Sequence, residues 1–144
     1  MADVHSKETR SYNMSRIRSK NTKPEMLVRK FLFSKGFRYR LHDKKLPGKP
    51  DIVLPKYKTV VFIHGCFWHG HEGCKYFVIP KTRTEWWVNK IAGNKKNDLI
   101  SQQLLKDLGW NVLEIWECDL KPFNIEIFLI WILNKLALIS KNAS

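Results

Sequence analysis

Apolar positions along the chain change their period several times, and each change marks an element. Thr22-Lys23-Pro24-Glu25 has the form of a capping box with proline in the first turn. Leu27 and Phe31, then Val28 and Leu32, follow at helical spacing, and Gly36 is a suitable stop. The pattern predicts a helix there. FRYRLH (37–42) alternates Phe37, Tyr39 and Leu41 with Arg38, Arg40 and His42, as a half-exposed strand does. Two β-branched runs, DIVL (51–54) and TVVFIH (59–64), are joined by the four residues PKYK and predict a hairpin. Residues 84–108 carry a helical pattern, with a break expected near Gly93-Asn94. GWNVLEIWE (109–117) reads as a strand, and residues 125–140 have the composition of a buried helix. Helix, three strands, helices, strand, helix is the order of one α/β domain over residues 1–144, with a mixed central sheet flanked by helices.

Residues 1–21 do not share this patterning. They are polar and basic, with Met14 and Ile17 three apart among Arg10, Arg16, Arg18 and Lys20. Either the segment is a loose basic tail, or it is an arm that orders on nucleic acid with Met14 and Ile17 on one side of a short helix.

Composition narrows the partner. With 44% hydrophobic residues in 144, the chain can bury a core without disulfide staples, which excludes disorder as its global state. Lys and Arg outnumber Asp and Glu by 26 to 13, so a polyanion is the expected partner, although charge alone names no function. The polar N-terminus lacks an apolar leader core, and the most apolar run, 125–139, is short and interrupted by Glu126, Asn134 and Lys135. A cytoplasmic protein without a membrane span is therefore expected. Three cysteines cannot all pair with one another, and thiols clustered with histidines in a reducing compartment favour a metal.

The chemistry concentrates in HGCFWHGHEGC (64–74). Zinc takes four sulfur or nitrogen ligands in a tetrahedron. Cys66, His71 and Cys74 can come from this one loop, and Cys118, just past the last strand, completes a set that uses every cysteine. A closed structural zinc fits that set best. A catalytic zinc that takes His64 or His69 and keeps an open position is the alternative, and plain buried thiols are the bland one. Asp51 opens the strand whose hairpin partner ends at His64, and Glu25 lies on the preceding helix. Carboxylates so placed would hold Mg²⁺ against a phosphate, and a nearby histidine would take the proton of an attacking water. The competing readings are ordinary ones: Asp51 as a turn cap, Glu25 as the closing half of the capping box, His64 as a satisfied histidine.

Five stretches then carry a resemblance over nearly the whole chain. MADVH with SxNM at the start, LPGKPDIV, FIHGCFWH, TRTEWW and LGWNVLEIWEC are similar to the very-short-patch-repair (Vsr) endonucleases, bacterial mismatch-nicking enzymes. The resemblance implies a fold related to type II restriction endonucleases of the PD-(D/E)xK group. It implies Mg²⁺-dependent incision 5′ to the T of a T:G mismatch left by 5-methylcytosine deamination, with a 5′-phosphate product. Asp51 then matches the Mg²⁺ ligand, His64 and His69 the catalytic histidines with His69 as general base, and Glu25 the acidic helper. Cys66, His71, Cys74 and Cys118 match structural zinc ligands. Phe67, Trp68 and Trp87 match an aromatic wedge, Met14 and Ile17 an arm probing the opposite groove, and Lys90 and Asn94 positions facing the mismatched bases. The implied partners are mismatched double-stranded DNA, a cytosine-5 methyltransferase that shares the site, and repair accessory proteins, with the enzyme itself a monomer. FIH stands where the restriction-enzyme pattern expects an acidic-x-Lys pair, Ile63 replaces a familiar Thr, and GHEGC is one residue longer than the common form. Two other classes stay open beside the endonuclease: a zinc-stabilised nucleic-acid-binding module without catalysis, and a zinc hydrolase acting on small substrates.

Overall fold

The structure, a computed structural model, describes residues 22–142; Met14 and Ile17 lie outside the described residues. Helix α1 (Lys23–Ser34) begins as its sequence prescribes, with the Thr22 hydroxyl accepting from the Glu25 N–H at 3.4 Å and Pro24 in the first turn. The Glu25 carboxylate does not close the capping box. It turns instead to Arg29 and His42.

A four-stranded sheet follows in the order β1 (Arg40–Leu41), β2 (Ile52–Leu54), β3 (Thr59–His64), β4 (Asn111–Trp116). β1–β2 and β2–β3 are antiparallel, and β3–β4 is parallel. The β2–β3 connection is a 3₁₀ turn, Pro55–Tyr57, closed by Lys58 at φ +50°. The parallel pair is joined by helix α2 (Thr84–Asp107), and helix α3 (Ile125–Asn142) ends the described chain.

Two apolar clusters sandwich the sheet. Val28 and Leu32 of α1 and Ile132 and Leu136 of α3 pack with Ile52, Leu54, Val61 and Ile115 on one side. Val53, Val60 and Phe62 meet Leu105 of α2 on the other. All three residues of β2 are buried, because helices cover both faces.

Three expectations are corrected. The alternation of FRYRLH is real, since Phe37, Tyr39 and Leu41 pack against the core, but only Arg40 and Leu41 join the ladder. His42, at φ +49°, ends the strand in a left-handed turn that swings its side chain inward. Helix α2 runs unbroken through Gly93. A glycine costs a helix only about 1 kcal/mol, and packing of Ile91 and Leu105 on either side of it holds the axis. Helix α3 is buried on one face only: Ile127 and Ile130 are 76% and 59% exposed, so its all-round apolar composition overstates its burial. Among the described residues no helix is long and apolar enough to cross a membrane.

Candidate active site

Strand register brings the cysteines together. His64 of β3 pairs with Trp116 of β4, and the two strands run parallel. Each chain then carries a cysteine two residues further on, Cys66 and Cys118. The loop after β3 folds back through a His71 N–H bond to the Cys66 carbonyl (2.9 Å) and a Cys74 N–H bond to the His71 carbonyl (3.2 Å). Gly73, at φ +75°, takes the left-handed conformation in this turn.

One ligand atom each of Cys66, His71, Cys74 and Cys118 lies within 4.8 Å of all the others. A tetrahedron of zinc–sulfur bonds has edges of roughly 3.8 Å, so this donor set fits zinc after small adjustments. Burial and the neighbouring Cys66 push the Cys118 thiol up to about 12, and burial raises Cys66 as well. The backbone N–H of Tyr76 lowers Cys74. A cation binding here displaces the remaining protons. Trp116 stacks on His71 at 4.1 Å and 5°, which holds the ring beside Cys118.

The second cluster forms where β2 begins and β3 ends. Asp51 precedes β2, and its Oδ2 accepts from the Ile63 N–H at 2.7 Å. Glu25 of α1, only 2% exposed, comes alongside, and Glu25, His42 and Asp51 offer ligand atoms within 4.8 Å of one another. Burial pushes the Asp51 carboxyl above its ordinary range; the Ile63 N–H, His42 and His64 oppose the shift, and Glu25 adds to it. A partly buried Asp51 carboxyl whose ionisation the neighbouring Glu25 disfavours fits a hard cation, which would relieve the repulsion. The oxygens of Glu25 and Asp51 would hold it. His42 Nε2 is already committed to Glu25 Oε1 at 2.8 Å.

Facing these carboxylates are two histidines whose ring centroids lie 4.1 Å apart. His69 Nδ1 is 2.6 Å from Asp98 Oδ2, and His64 Nε2 is 3.1 Å from Glu114 Oε1, an oxygen that also accepts from Gln102 Nε2 at 2.7 Å. A carboxylate only accepts, so the protons sit on Nδ1 of His69 and Nε2 of His64. Asp98 thereby orients the His69 ring and leaves Nε2 as the nitrogen turned away from it. The bond from His64 holds the Glu114 carboxyl below its usual range.

Both groups line one cleft of about 490 Å³, together with Phe67, Trp68, Lys90 and Asn94. Phe67, Trp68 and Trp87 pack on one another with centroids 5.3–5.7 Å apart, and the Asn94 amide donates to the Trp68 carbonyl at 2.9 Å. Trp87 is not in the cleft wall; it reaches the site through the other two rings. Thus Glu25, Asp51, His64, His69, Phe67, Trp68, Lys90 and Asn94 share one cavity, and the four zinc-type donors share an adjoining knot. Sequence reading missed His42, Asp98 and Glu114. Of these only His42 left a signal, as a histidine just ahead of LPGKPD.

The family model described as DNA mismatch endonuclease Vsr matches residues 2–75. The chain is 54% identical over 121 residues to the type II nicking enzyme V.NmeAIP of Neisseria meningitidis, covering 84% of this chain and 86% of that one. It is 49% identical over 120 residues to the type II nicking enzyme V.XorIIP of Xanthomonas oryzae, covering 83% and 88%. It is 46% identical over 121 residues to the DNA mismatch endonuclease Vsr of Escherichia coli K12, covering 84% and 77%. With the motif residues gathered in one cleft and relatives of this likeness spanning most of its length, the chain belongs to the Vsr family of DNA mismatch endonucleases.

Proposed function

We propose that this endonuclease nicks one strand of duplex DNA 5′ to the T of a T:G mismatch, the product of 5-methylcytosine deamination, and so initiates very short patch repair beside a cytosine-5 methyltransferase. The observation that carries the reading is the facing of the Glu25–Asp51 carboxylate pair and the His69–Asp98 pair across a single cleft. A binding module without catalysis leaves those two pairs without a task. The sheet with helices on both faces suits a restriction-endonuclease-like fold, and the Cys66, His71, Cys74, Cys118 knot suits a structural zinc.

In the reaction we assign, His69 Nε2 takes a proton from a water that attacks the phosphorus. The new P–O bond forms as the bond to O3′ breaks, and the departing O3′ takes a proton from solvent water, leaving a 5′-phosphate and a 3′-hydroxyl. Mg²⁺, when bound at Glu25 and Asp51, supplies the positive charge that the phosphate oxygens need as negative charge builds on them. Asp98 keeps the His69 proton on Nδ1 so that Nε2 stays a base. His64, fixed by Glu114, faces the phosphate and the departing oxygen.

Phe67 and Trp68, backed by Trp87, supply rings that stack on bases, and opening one step costs least where pairing is already weak. Lys90 and Asn94 on α2 border the same cleft and suit contacts to the displaced bases. The excess of basic residues binds the backbone regardless of sequence and makes affinity fall with salt. Incubating the protein with T:G and matched T:A duplexes, with Mg²⁺ and with EDTA, tests the proposal. Strand-specific nicking of T:G alone, dependent on Mg²⁺, supports it; equal cleavage of both duplexes, or none of either, overturns it.

A further inference from the structure

His42 is tied to both acidic residues of the open cluster by different atoms, to Glu25 through its carboxylate and to Asp51 through the main chain. Its backbone N–H donates to the Asp51 carbonyl at 3.1 Å. Its ring Nε2 donates to Glu25 Oε1 at 2.8 Å, while Arg29 Nη1 holds the other oxygen, Oε2, at 3.1 Å. Its backbone sits at φ +49°, a left-handed conformation uncommon for any residue with a side chain. Without that turn, the alternation of β1 would send the side chain outward with Arg38 and Arg40. Strain of this kind persists where the surroundings require it, and it clusters at functional sites.

Resting on the proposed Mg²⁺-dependent nuclease reading, we propose that His42 is a positioning residue: its ring and backbone together set Glu25 and Asp51 at the separation a hard cation needs. Glu25 comes from a helix and Asp51 from the start of a strand, and no ladder hydrogen bond joins those two elements. His42 bonds to both. Held by Arg29 and His42, the Glu25 carboxylate keeps a single orientation, with its remaining lone pairs available to a cation or its water. A carboxylate free to rotate toward Arg29 alone would leave Asp51 to bind the ion by itself.

Two variants separate the ring from the backbone. His42→Gly removes the ring while glycine accepts the left-handed turn without strain. His42→Gln restores an N–H donor that can reach Glu25. Mn²⁺, which favours the same oxygen donors as Mg²⁺, is titrated into the zinc-loaded protein and followed by electron paramagnetic resonance. Mg²⁺-dependent nicking of a T:G duplex is measured alongside. Loss of the partner of a metal-binding carboxylate costs about 10–100-fold in metal affinity or activity. We expect His42→Gly to weaken Mn²⁺ binding and raise the half-saturating Mg²⁺ concentration by that factor. Affinity for the T:G duplex in EDTA is expected to stay as in wild type, and His42→Gln to recover most of the loss.

Wild-type Mn²⁺ affinity in His42→Gly overturns the inference. So does a loss that His42→Gln leaves untouched, since an N–H donor to Glu25 would then not be what the site needs. Wild-type protein that binds Mn²⁺ but nicks no mismatch would count against the nuclease reading instead, and the Mn²⁺ comparison would still decide the role of His42.

Discussion

The cysteine–histidine knot and the carboxylate cluster are assembled from the same sheet by opposite means. Parallel pairing of β3 with β4 sets the first, so that two strands leaving side by side deliver Cys66 and Cys118 to one point. Antiparallel pairing of β2 with β3 sets the second, placing Asp51 where the Ile63 N–H meets it, with Glu25 brought in from α1. The knot has four borderline-to-soft donors that can close a coordination shell, and the cluster has hard oxygens beside an open cleft. A closed shell suits a scaffold. An open one suits a reaction, because substrate and water need positions on the ion.

That contrast can be broken at several points. The largest effect belongs to Asp51→Ala: nicking of a T:G duplex is expected to fall by at least about 10³-fold, with binding in EDTA retained, because on the proposed reading the lost carboxylate would hold the cation at the reacting phosphate. Gel-shift and nicking assays on one preparation check both halves. His69→Ala follows, with a kcat loss of about 10²–10⁴-fold for a missing general base, and Asp98→Asn is expected to lose less, since the imidazole remains. Single-turnover rates at saturating protein rank the two.

On the other side of the contrast, Cys118→Ser is expected to lose bound zinc and lower Tm by roughly 10 °C, while any protein still folded keeps its Mg²⁺ requirement. Metal analysis with thermal unfolding reads this directly. The wedge is next: Trp68→Ala removes one stacking face, a change of about 1–3 kcal/mol per base, and should reduce the preference for T:G over T:A in competition binding. The smallest effect is Lys90→Ala. If Lys90 meets only phosphate, both duplexes weaken alike and the salt slope drops by about one unit; a loss confined to T:G would place it on the bases.

The two clusters also differed in how far the sequence disclosed them. Cys66, His71 and Cys74 lie within one short loop, and a parallel last strand was enough to bring in Cys118. Asp51 and His64 could be joined through the hairpin, because period-2 alternation and a short turn fix which residues stand opposite. Asp98 and Glu114 could not be found this way. An acidic residue on a long polar helix, or on the open edge of a strand, looks like any solvated charge until the fold sets a histidine against it. His42 was misplaced for a sharper reason. Alternation assigns a side chain to one face, and a single left-handed residue reverses the assignment. The unbroken α2 and the half-exposed α3 fall in the same class, since tertiary packing outweighed a weak local preference in one and left an apolar face uncovered in the other.

The most direct test of a closed scaffold metal beside an open reaction metal uses one sample. Purified protein is dialysed against dilute EDTA, its zinc content is measured, and T:G nicking is followed as Mg²⁺ alone is returned. A single zinc per chain should survive dialysis while nicking disappears, and nicking should come back with Mg²⁺. Nicking that persists in EDTA, or that returns only when zinc is added, would contradict the assignment of the two clusters.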